Sequence, residues 1–505
     1  MEQINGFFVY ESQATPLINP DDIHRRSKGG SKKHRRIFSS DGPNLLRIMS
    51  NDRPELRSFT PLIKRMTTVD SSKEIVVVID PYSTGTCVAD EVMKRGFSVI
   101  ALWSEDISDE LKKHVPLSCV NMQKYFTTLN IQKGDDMVST SEALYKAAGT
   151  KKIVACFAGG ETGVELADSL SEHMKVRTNG SGLMNRRDKK VQQEVIRKHG
   201  LRSVRQAGGA EFSEVEEFLK TESYPVVLKP NEAAGSEGVK LCNSFEEAND
   251  HFDVLMSSQL QIGGACPSVL CQEFLRGKEY VIDHVSRDGV HKTTMMWVYD
   301  KRPFNGSAFV YFGTLPVGSD CPEAKILIPY VRGVLDAMEI SNGASHAEVM
   351  MTPDGPCLVE MNVRTHGGDG NWVPLARALT GGYTQVDATV DSYLDKKKFS
   401  TIPDVYPSPF KAAGQEVYLV SRGRGKVKST PGFDVIKELP SFIYLETGVV
   451  EGGSVDFTID LFTALGSVLL MHSNPEVLEA DIKKIRVMEE NNEIIEYEPQ
   501  LSSLK

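Results

Sequence analysis

Apolar residues between positions 74 and 172 follow two different periods. Continuous apolar runs at 74–80, 97–103 and 152–158 are typical of strands buried on both faces. The first and the last of these runs are each followed by a turn and then by apolar residues at helical spacing, at 88–95 and 164–172. This β-α-β alternation predicts a parallel sheet.

Two turns of this region, 81–86 and 159–163, directly follow predicted strands. Loops at the carboxyl ends of strands are where open α/β sheets bind ligands. Neither turn carries a G-x-G-x-x-G or a G-x-x-x-x-G-K-[ST] pattern, so a dinucleotide fingerprint and a Walker P-loop are both excluded. If the protein binds a nucleotide, it does so by another arrangement.

A second pattern, two short apolar runs around a turn, appears late in the chain. Ala347–Met351 and Cys357–Met361 flank residues 352–356, which contain Pro, Asp and Gly. These are turn-forming residues, so the segment predicts a β-hairpin paired about Asp354. Glu348 then lies directly opposite Glu360 on the same face of the hairpin.

Opposed carboxylates repel each other on a sheet, so this arrangement needs a physical reason. Asn362 shares the face of Glu348 and Glu360, and Arg364 and the Gly-rich segment 366–370 follow. A hard divalent cation such as Mg²⁺ takes oxygen ligands of this kind, together with substrate phosphates. The alternative is a solvated hairpin with scattered charges, and the rest of the chain decides between the two.

Residues 186–238 supply candidate phosphate contacts. Asp188 is a good N-cap for a helix that Gly200 ends, and 224–230 is an apolar strand that contains Lys229 near its end. A lysine there is costly unless it is paired, and a phosphate would pair it, although a lysine at a strand end usually snorkels to water. The small-residue loop 231–238 could direct backbone N–H groups at phosphates.

Residues 270–280 supply candidate nucleoside contacts. An apolar strand runs into Glu273, Phe274 and Leu275, whose backbone offers the alternating acceptor and donor that an adenine edge requires. Gly277 makes a turn, and Glu279 returns as a candidate for ribose hydroxyls. Taken alone, such a segment is usually a surface hairpin. Its order and spacing relative to the preceding motifs indicate a nucleotide site far more specifically.

Composition narrows the class of protein. A chain of 505 residues is too long for one core, and the net charge of −10 argues against a nucleic-acid-binding protein. There is no apolar run of 18 residues and no signal-peptide pattern at the N-terminus, so we expect neither a membrane span nor secretion. The eight cysteines form no C-x-x-C pair, which indicates neither a zinc site nor a disulfide framework and favours a cytoplasmic location.

Residues 24–36 differ from the rest because they carry seven Lys and Arg and no acid. Such blocks are usually disordered interaction tails, and we expect residues 1–72 to be a tail and linker. A nuclear signal, an organelle presequence and a contact with anionic lipid are the alternatives. Acids at Glu2, Glu11 and Asp21 argue against a presequence.

The motifs together resemble the ATP-grasp superfamily over about residues 75–499. The resemblance is closest to the carboxylate–amine ligase branch, which includes bacterial L-amino acid ligases and dapdiamide- or carnosine-type synthetases. It is carried by GGETGVELADSLSE (159–172), NRRDKK (185–190), VVLKPNEAAGSEGV (226–239), QEFLRGKEY (272–280), HAEVM (346–350) and VEMNVRTHGG (359–368).

The resemblance implies an α/β fold, α+β in the grasp core, with an ATP-grasp architecture. Its parts would be a tail and linker (1–72), a Rossmann-like pre-grasp domain (73–185), a lid (186–272), a grasp core with the metal site (273–405) and a C-terminal closing domain (406–505). It also implies roles for individual residues. These are phosphate contacts at Lys189, Lys229, Gly235, Ser236 and Gly238, adenine contacts at Glu273, Phe274 and Leu275, a ribose contact at Glu279, metal ligands at Glu348, Glu360 and Asn362, and catalysis by Arg364.

Two features of the motifs leave questions open. His366 is a candidate proton acceptor from the amine, but a structural role in its loop is an equal alternative. The phosphate loop also carries Glu232 and Glu237 and is more acidic than a phosphate cradle usually is. Either these side chains point outward or the contacts of the lid are altered.

The resemblance implies an enzyme that uses ATP and Mg²⁺, or Mn²⁺, to join a small-molecule carboxylate to an amine. An acyl phosphate would be the intermediate, and ADP and phosphate the by-products. A biotin-carboxylase-like enzyme shares the E-M-N-x-R run, but the chain has no A-M-K-M segment for biotin attachment. A non-catalytic nucleotide-binding scaffold is the third alternative. Nucleic acid and membrane partners are not expected, and a homodimer is left open.

Overall fold

A computed structural model describes residues 73–105, 107–109, 111–116, 119, 122–131, 134–182, 186–231, 237–260 and 264–499. The predicted tail 1–72 and the predicted phosphate contacts Gly235 and Ser236 lie outside these residues. Within them, no helix has the length and apolar character needed to cross a membrane.

The first structural unit is a parallel sheet, as the sequence predicted. Its strands lie in the order β3-β2-β1-β4 and are β1 (Glu74–Ile79), β2 (Ser98–Trp103), β3 (Thr127–Asn130) and β4 (Lys152–Ala158). The helices that follow β1, β3 and β4 are α1 (Thr84–Lys94), α2 (Met137–Ala148) and α3 (Val164–His173). All residues of β1 except Glu74 are buried, in agreement with their unbroken apolar run.

Helix α1 begins four residues earlier than its apolar pattern suggests. Thr84 and Gly85 are buried, although neither is a typical core residue. The Thr84 hydroxyl donates to the Gly367 carbonyl at 3.1 Å, and a Cβ on Gly85 would lie 2.5 Å from the Gly159 carbonyl oxygen. The start of the helix is therefore set by close packing against distant loops, which hydrophobic periodicity does not report.

The second unit is a small antiparallel sheet with helices against it. Its strand order is β5-β10-β6-β7. The elements are α4 (Lys189–Lys198), β5 (Gln206–Gly209), α5 (Glu216–Thr221), β6 (Val226–Pro230), β7 (Lys240–Cys242), α6 (Phe245–Met256), β8 (Gln259–Leu260), β9 (Gly264–Ala265) and β10 (Val269–Glu273). Asp188 caps α4 by accepting from the Val191 N–H at 2.9 Å, as predicted, and Gly200 follows the helix with a φ of 77°.

The third unit is an eight-stranded sheet in the order β15-β14-β11-β12-β13-β16-β20-β18. Its strands are β11 (Lys278–Arg287), β12 (Val290–Phe304), β13 (Ser307–Val317), β14 (Gly343–Thr352), β15 (Gly355–Asn362), β16 (Ala413–Leu419), β18 (Phe442–Glu446) and β20 (Gly466–His472). This sheet crosses the predicted domain boundary at residue 406, because β13 pairs with β16 at Gly313–Val417 and Thr314–Glu416.

The remaining elements pack against this sheet or lie at its end. They are α7 (Ala324–Ala337), α8 (Trp372–Thr380), α9 (Gln385–Leu394), α10 (Lys396–Ser400), β17 (Gly425–Ser429), α11 (Pro431–Lys437), β19 (Ser454–Val455), α12 (Pro475–Glu490) and β21 (Glu496–Tyr497). One hydrophobic core joins Val76 and Phe157 of the parallel sheet with Trp297, Leu327 and Trp372 of the large sheet and its helices. The loops at the end of the parallel sheet are thereby held against the segment that follows β15.

Candidate functional site

The hairpin of β14 and β15 has the predicted register at its acidic residues. Glu348 lies opposite Glu360, and Asn362 lies opposite His346. The turn itself closes with Thr352 opposite Gly355, one residue out of step with that register. A bulge between Glu348 and Val349 absorbs the difference, and bulges commonly re-aim side chains next to functional sites.

A cavity of about 170 Å³ lies between the small sheet and the large sheet. It brings together most of the predicted site residues, which come from segments far apart in the chain. The predicted residues that line it are Lys189, Lys229, Glu273, Phe274, Leu275, Glu279, Glu348, Glu360, Asn362 and Arg364. Gly238 and His366 do not line this cavity. Glu237 does, so the contacts of the lid include an acid there.

Buried basic groups compensate the carboxylates of the cavity. Lys189 Nζ lies 3.0 Å from Glu360 Oε1, and Lys301 Nζ lies 2.8 Å from each oxygen of Glu279. His346 Nε2 lies 3.5 Å from Glu348 Oε1. Each of the opposed carboxylates Glu348 and Glu360 therefore has a basic partner from another position of the chain, which relieves their mutual repulsion.

Burial and these charges raise the pKa of some side chains that line the cavity and lower the pKa of others. Burial and the neighbouring Lys189 charge lower the pKa of Lys229 to about 8, against the pull of nearby carboxylates. Burial would raise the pKa of Glu348, but the His346 hydrogen bond and the Lys301 charge outweigh it, and the pKa is lowered. Burial and the charge of Glu348 raise the pKa of Glu279, although Lys301 opposes this. An anionic group beside Lys229 would therefore complete the cavity's charge balance.

The apolar side of the cavity is formed around the end of β10. The Glu273 carboxylate does not face into it freely, since it accepts from the Arg205 N–H at 2.8 Å and pairs with the Arg205 guanidinium at 2.7 Å. The walls of this slot are side chains from several elements, namely Val204, Val227, Phe274, Phe309, Met350 and Leu358. An apolar slot beside a strand end suits an aromatic base such as adenine.

Two glutamines that the sequence analysis passed over connect helix α4 to the hairpin. Gln192 donates to the Met361 carbonyl at 2.8 Å and accepts from the Met361 N–H at 2.9 Å, while Gln193 donates to the Leu358 carbonyl at 2.9 Å. The buried residues of α4 are therefore Lys189, Gln192, Gln193 and Ile196, whereas Val191 and Val195 are half-buried. These bonds hold Lys189 in register with Glu360.

Arg364 is buried and engaged by an acid from the parallel-sheet domain. Its Nε lies 2.9 Å from Glu161 Oε2, and its Nη2 donates to Asn362 Oδ1 at 3.1 Å. Arg187 Nε lies 3.2 Å from the other oxygen of Glu161. Burial opposes the charged form of Arg364, but Glu161 raises its pKa. Glu161 was not among the predicted site residues. Its place in the loop after β4 was the available signal.

His366 lies behind the cavity in a buried polar cluster. Its Nδ1 lies 3.0 Å from Asp283 Oδ2, and its ring stacks on Trp372 at 5.2 Å between centroids. Asp283 also contacts His346 Nδ1 at 2.9 Å and accepts from Trp297 Nε1 at 2.8 Å. This arrangement favours the structural alternative for His366. The same aspartate orients His346, whose other nitrogen faces Glu348.

Comparisons with known proteins agree with this geometry. Residues 187–369 match the family described as phosphoribosylglycinamide synthetase, ATP-grasp (A) domain. The chain is 27% identical over 423 residues to dapdiamide A synthase of Enterobacter agglomerans, covering 83% of this chain and 96% of that protein. It is 28% identical over 194 residues to the phosphoribosylamine–glycine ligase of Halalkalibacterium halodurans, which covers 36% of this chain and 44% of that protein.

The fold is also similar to solved structures. The L-amino acid ligase from Bacillus licheniformis superposes with a TM-score of 0.63 at 15% identity, covering 84% of this chain and 99% of that one. The architecture, the matched family and the relative that spans most of the chain all indicate similarity to ATP-grasp ligases. Residues 187–369 therefore form a region similar to the ATP-grasp (A) domain of phosphoribosylglycinamide synthetase, and the chain as a whole is similar to dapdiamide A synthase and has the fold of an L-amino acid ligase.

Proposed function

We propose that this protein is an ATP-dependent ligase that joins a carboxylate to an amine through an acyl phosphate and releases ADP and phosphate. The observation that carries the proposal is the convergence of an acid pair with Asn362, two lysines and Arg364 on one cavity. A scaffold protein has no need for buried groups of this kind. The similarity to dapdiamide A synthase over 83% of the chain supports the ligase assignment.

The residues present fit a divalent cation of the hard type. Glu348, Glu360 and Asn362 present oxygen atoms to one cavity beside two lysines suited to phosphates. Mg²⁺, when bound there, supplies positive charge that neutralises the phosphate oxygens during transfer. Without the cation, Lys189 and His346 pair with the two glutamates, so the opposed pair is stable in the folded chain.

The first step activates the acid. A carboxylate oxygen of the substrate attacks the γ-phosphorus of ATP, the bond between that phosphorus and the bridging oxygen of ADP breaks, and ADP leaves. Lys229, whose pKa is lowered by burial to about 8, gains an anionic partner when the phosphates bind. Arg364 presents a planar fork that suits the substrate carboxylate, and lysine would not replace it well.

The second step forms the amide. The amine nitrogen attacks the acyl carbon, the bond to the phosphate oxygen breaks, inorganic phosphate leaves and the nitrogen loses a proton. Arg364 stabilises the negative charge that develops on the acyl oxygen. Acyl phosphates hydrolyse readily, so water must be excluded, and closure of the small sheet of the lid over the cavity would exclude it.

The test is a screen for ADP release. The purified chain with Mg·ATP is given pairs of small carboxylates and amines, and both ADP and the amide are measured. We expect ADP release that depends on both the acid and the amine. Formation of AMP and pyrophosphate would overturn the acyl-phosphate mechanism.

A further inference from the structure

A surface loop of the C-terminal region, residues 448–463, exposes several apolar side chains. Phe457 is 37% exposed, Ile459 45% and Phe462 40%. Val450, near the start of the loop, is 44% exposed. A single exposed apolar residue is normal on a protein surface, but several in one short loop indicate a surface that a partner covers.

Hydrogen bonds fix the part of the loop that carries these side chains. The Asn305 side chain donates to the carbonyls of Ser421 and Thr458 at 2.8 and 3.0 Å. Thr458 is fully buried, and its hydroxyl accepts from the Ser421 N–H at 2.8 Å. Because Thr458 faces inward, its neighbours Phe457 and Ile459 are held in their exposed positions. They cannot turn into the core without breaking these bonds.

Basic side chains lie beside this loop. Strand β17 pairs with β19, which belongs to the loop, so that Gly425 lies opposite Val455 and Lys426 opposite Ser454. The exposed basic residues of the segment 422–428 are Arg422, Arg424, Lys426 and Lys428. The two lysines have acidic partners in the segment 496–498, at 2.9 and 2.5 Å.

The two arginines have aromatic rings in place of acids. The guanidinium carbon of Arg424 lies 5.6 Å from the ring centroid of Phe457, and that of Arg422 lies 4.7 Å from the ring centroid of Phe304. Within the described part of the chain, neither guanidinium forms an ion pair. A guanidinium stacked on a ring keeps N–H donors for a partner and loses little conformational freedom on binding one.

The loop also carries exposed acids. Glu451 and Asp456 form no ion pair with any residue that the structure describes. Asp456 directly precedes Phe457, whose ring lies under Arg424. The segments 422–428 and 448–463, which we call the C-terminal patch, thus combine apolar side chains with charges of both signs. A patch of one sign would suit a partner of the opposite sign, whereas this one is complementary to itself after a twofold rotation.

We propose that the C-terminal patch is the interface of a homodimer, in which a second copy of this chain covers the apolar loop. The exposed apolar side chains of the two copies pack together, and the arginines of each copy meet the acids of the other. Phe and Arg are enriched at protein interfaces. The two segments approach the roughly 20–30 residues that each partner contributes to a standard interface. The inference does not depend on the proposed ligase function.

Charge reversal tests the proposal, with the molar mass of the full-length chain measured by analytical ultracentrifugation at micromolar concentration. The base-reversed variant is Arg422→Glu with Arg424→Glu, and the acid-reversed variant is Glu451→Lys with Asp456→Lys. We expect wild type to be dimeric and each variant alone to be monomeric, because like charges then face each other. An equimolar mixture of the two variants should form a heterodimer, which also shows that both are folded.

A single substitution tests the apolar part of the patch. Phe462→Ser should raise the dissociation constant of the dimer at least about tenfold, as truncation of a central interface residue does. Tyr145→Ser is the matched control, because Tyr145 is a 51% exposed aromatic residue on helix α2, outside the patch. It should leave the dissociation constant unchanged. A monomeric wild type, or variants that all dimerise like wild type, would overturn the proposal.

An anionic lipid surface is the other occupant that exposed apolar and basic side chains could suit. Cosedimentation with vesicles of phosphatidylcholine and phosphatidylserine distinguishes it from a second copy. We expect wild type and the base-reversed variant to sediment equally with the vesicles. Binding of wild type that the base-reversed variant loses and the acid-reversed variant keeps would assign the patch to lipid and refute the homodimer interface.

Discussion

Two regions of the large sheet contain buried carboxylates, and they differ in how the negative charge is compensated. In the cavity proposed to bind ATP, Glu360 and Glu279 each have a lysine within 3.0 Å. Where β13 meets β16, the buried Glu416 accepts from the Tyr418 hydroxyl, and the charged groups that shift its pKa are the carboxylates of Glu446 and Asp369. Since a buried charge must be paired or neutralised, the first region is internally balanced and the second depends on protonation.

This difference indicates how the carboxylates of each region would respond to a bound ligand. In the cavity proposed to bind ATP, a cation and phosphates would enter a network in which the lysines exchange a carboxylate partner for a phosphate. At Glu416 the charged neighbours that shift the pKa are themselves carboxylates, so protonation is the available compensation. The predictions below test this contrast, in order of decreasing expected effect.

Glu360→Gln should have the largest effect. It removes a charge from the proposed metal site, so turnover should fall about 10²–10³-fold and the Mg·ATP-induced thermal shift should shrink. It also leaves Lys189 with a weaker partner, so the ligand-free protein should melt at a lower temperature than wild type. Turnover and Mg·ATP thermal shift equal to wild type would show that the hairpin is not the metal site.

Arg364→Lys should separate binding from chemistry. The cavity's lysines and carboxylates are untouched, so the Mg·ATP-induced thermal shift should be retained. ADP release should fall about 10²-fold, because a lysine cannot present the planar fork to the acyl oxygen. A loss of the thermal shift without loss of turnover would contradict the catalytic role.

Lys301→Met tests whether the carboxylates of the ATP cavity require their lysines. Removal of one member of a buried pair typically costs about 3–5 kcal/mol, so we expect a clear drop in melting temperature that Mg·ATP partly restores. Lys292→Met is the matched control on the same strand. Lys292 pairs with Asp404, whose side chain is 75% exposed, so its loss leaves a charge in water and should cost little. Equal drops in melting temperature in both variants would refute the distinction between the buried and the exposed ion pair.

The pH dependence of stability should distinguish Glu416 from the paired acids. The raised pKa of Glu416, about 8 in the folded chain against 4.5 for the ordinary side chain, means that the folded state binds the extra proton between these values. The contribution of Glu416 to stability is then fully present below about pH 4.5 and is lost as the pH rises through 8.

The measurement is the difference in melting temperature between wild type and Glu416→Gln. The amide of the variant cannot ionise, so the difference should change steadily in favour of the variant from about pH 5 to about pH 8 without ligand. A difference independent of pH would show that Glu416 does not titrate in this range.

Much of the candidate site was predictable because its signals are local. Hydrophobic periodicity located the parallel strands, and side-chain alternation within one hairpin placed Glu348 opposite Glu360 and Asn362 on their face. The helix cap at Asp188 was likewise predictable, since it involves residues three positions apart. Each of these features depends on neighbours in the chain.

The partners of these groups could not be predicted in the same way. Lys189 reaches Glu360 across 171 positions, and Glu161 reaches Arg364 across 203, so only the packing of the units makes them neighbours. Gln192 and Gln193 looked like exposed helix residues because polar side chains on a helix usually face water. The backbone of β15 supplies the hydrogen-bond partners that allow their burial.

The sequence alone determined the strands, the hairpin register and the set of residue types suited to ATP and a divalent cation. The tertiary structure decided which charges are compensated and which are not, because electrostatic pairing in the interior depends on distances of about 3 Å between distant segments. Glu416 illustrates this, since its chain neighbours are ordinary β residues. Only the meeting of β13 with β16 buries its carboxylate, beside the carboxylates of Glu446 and Asp369 that raise its pKa.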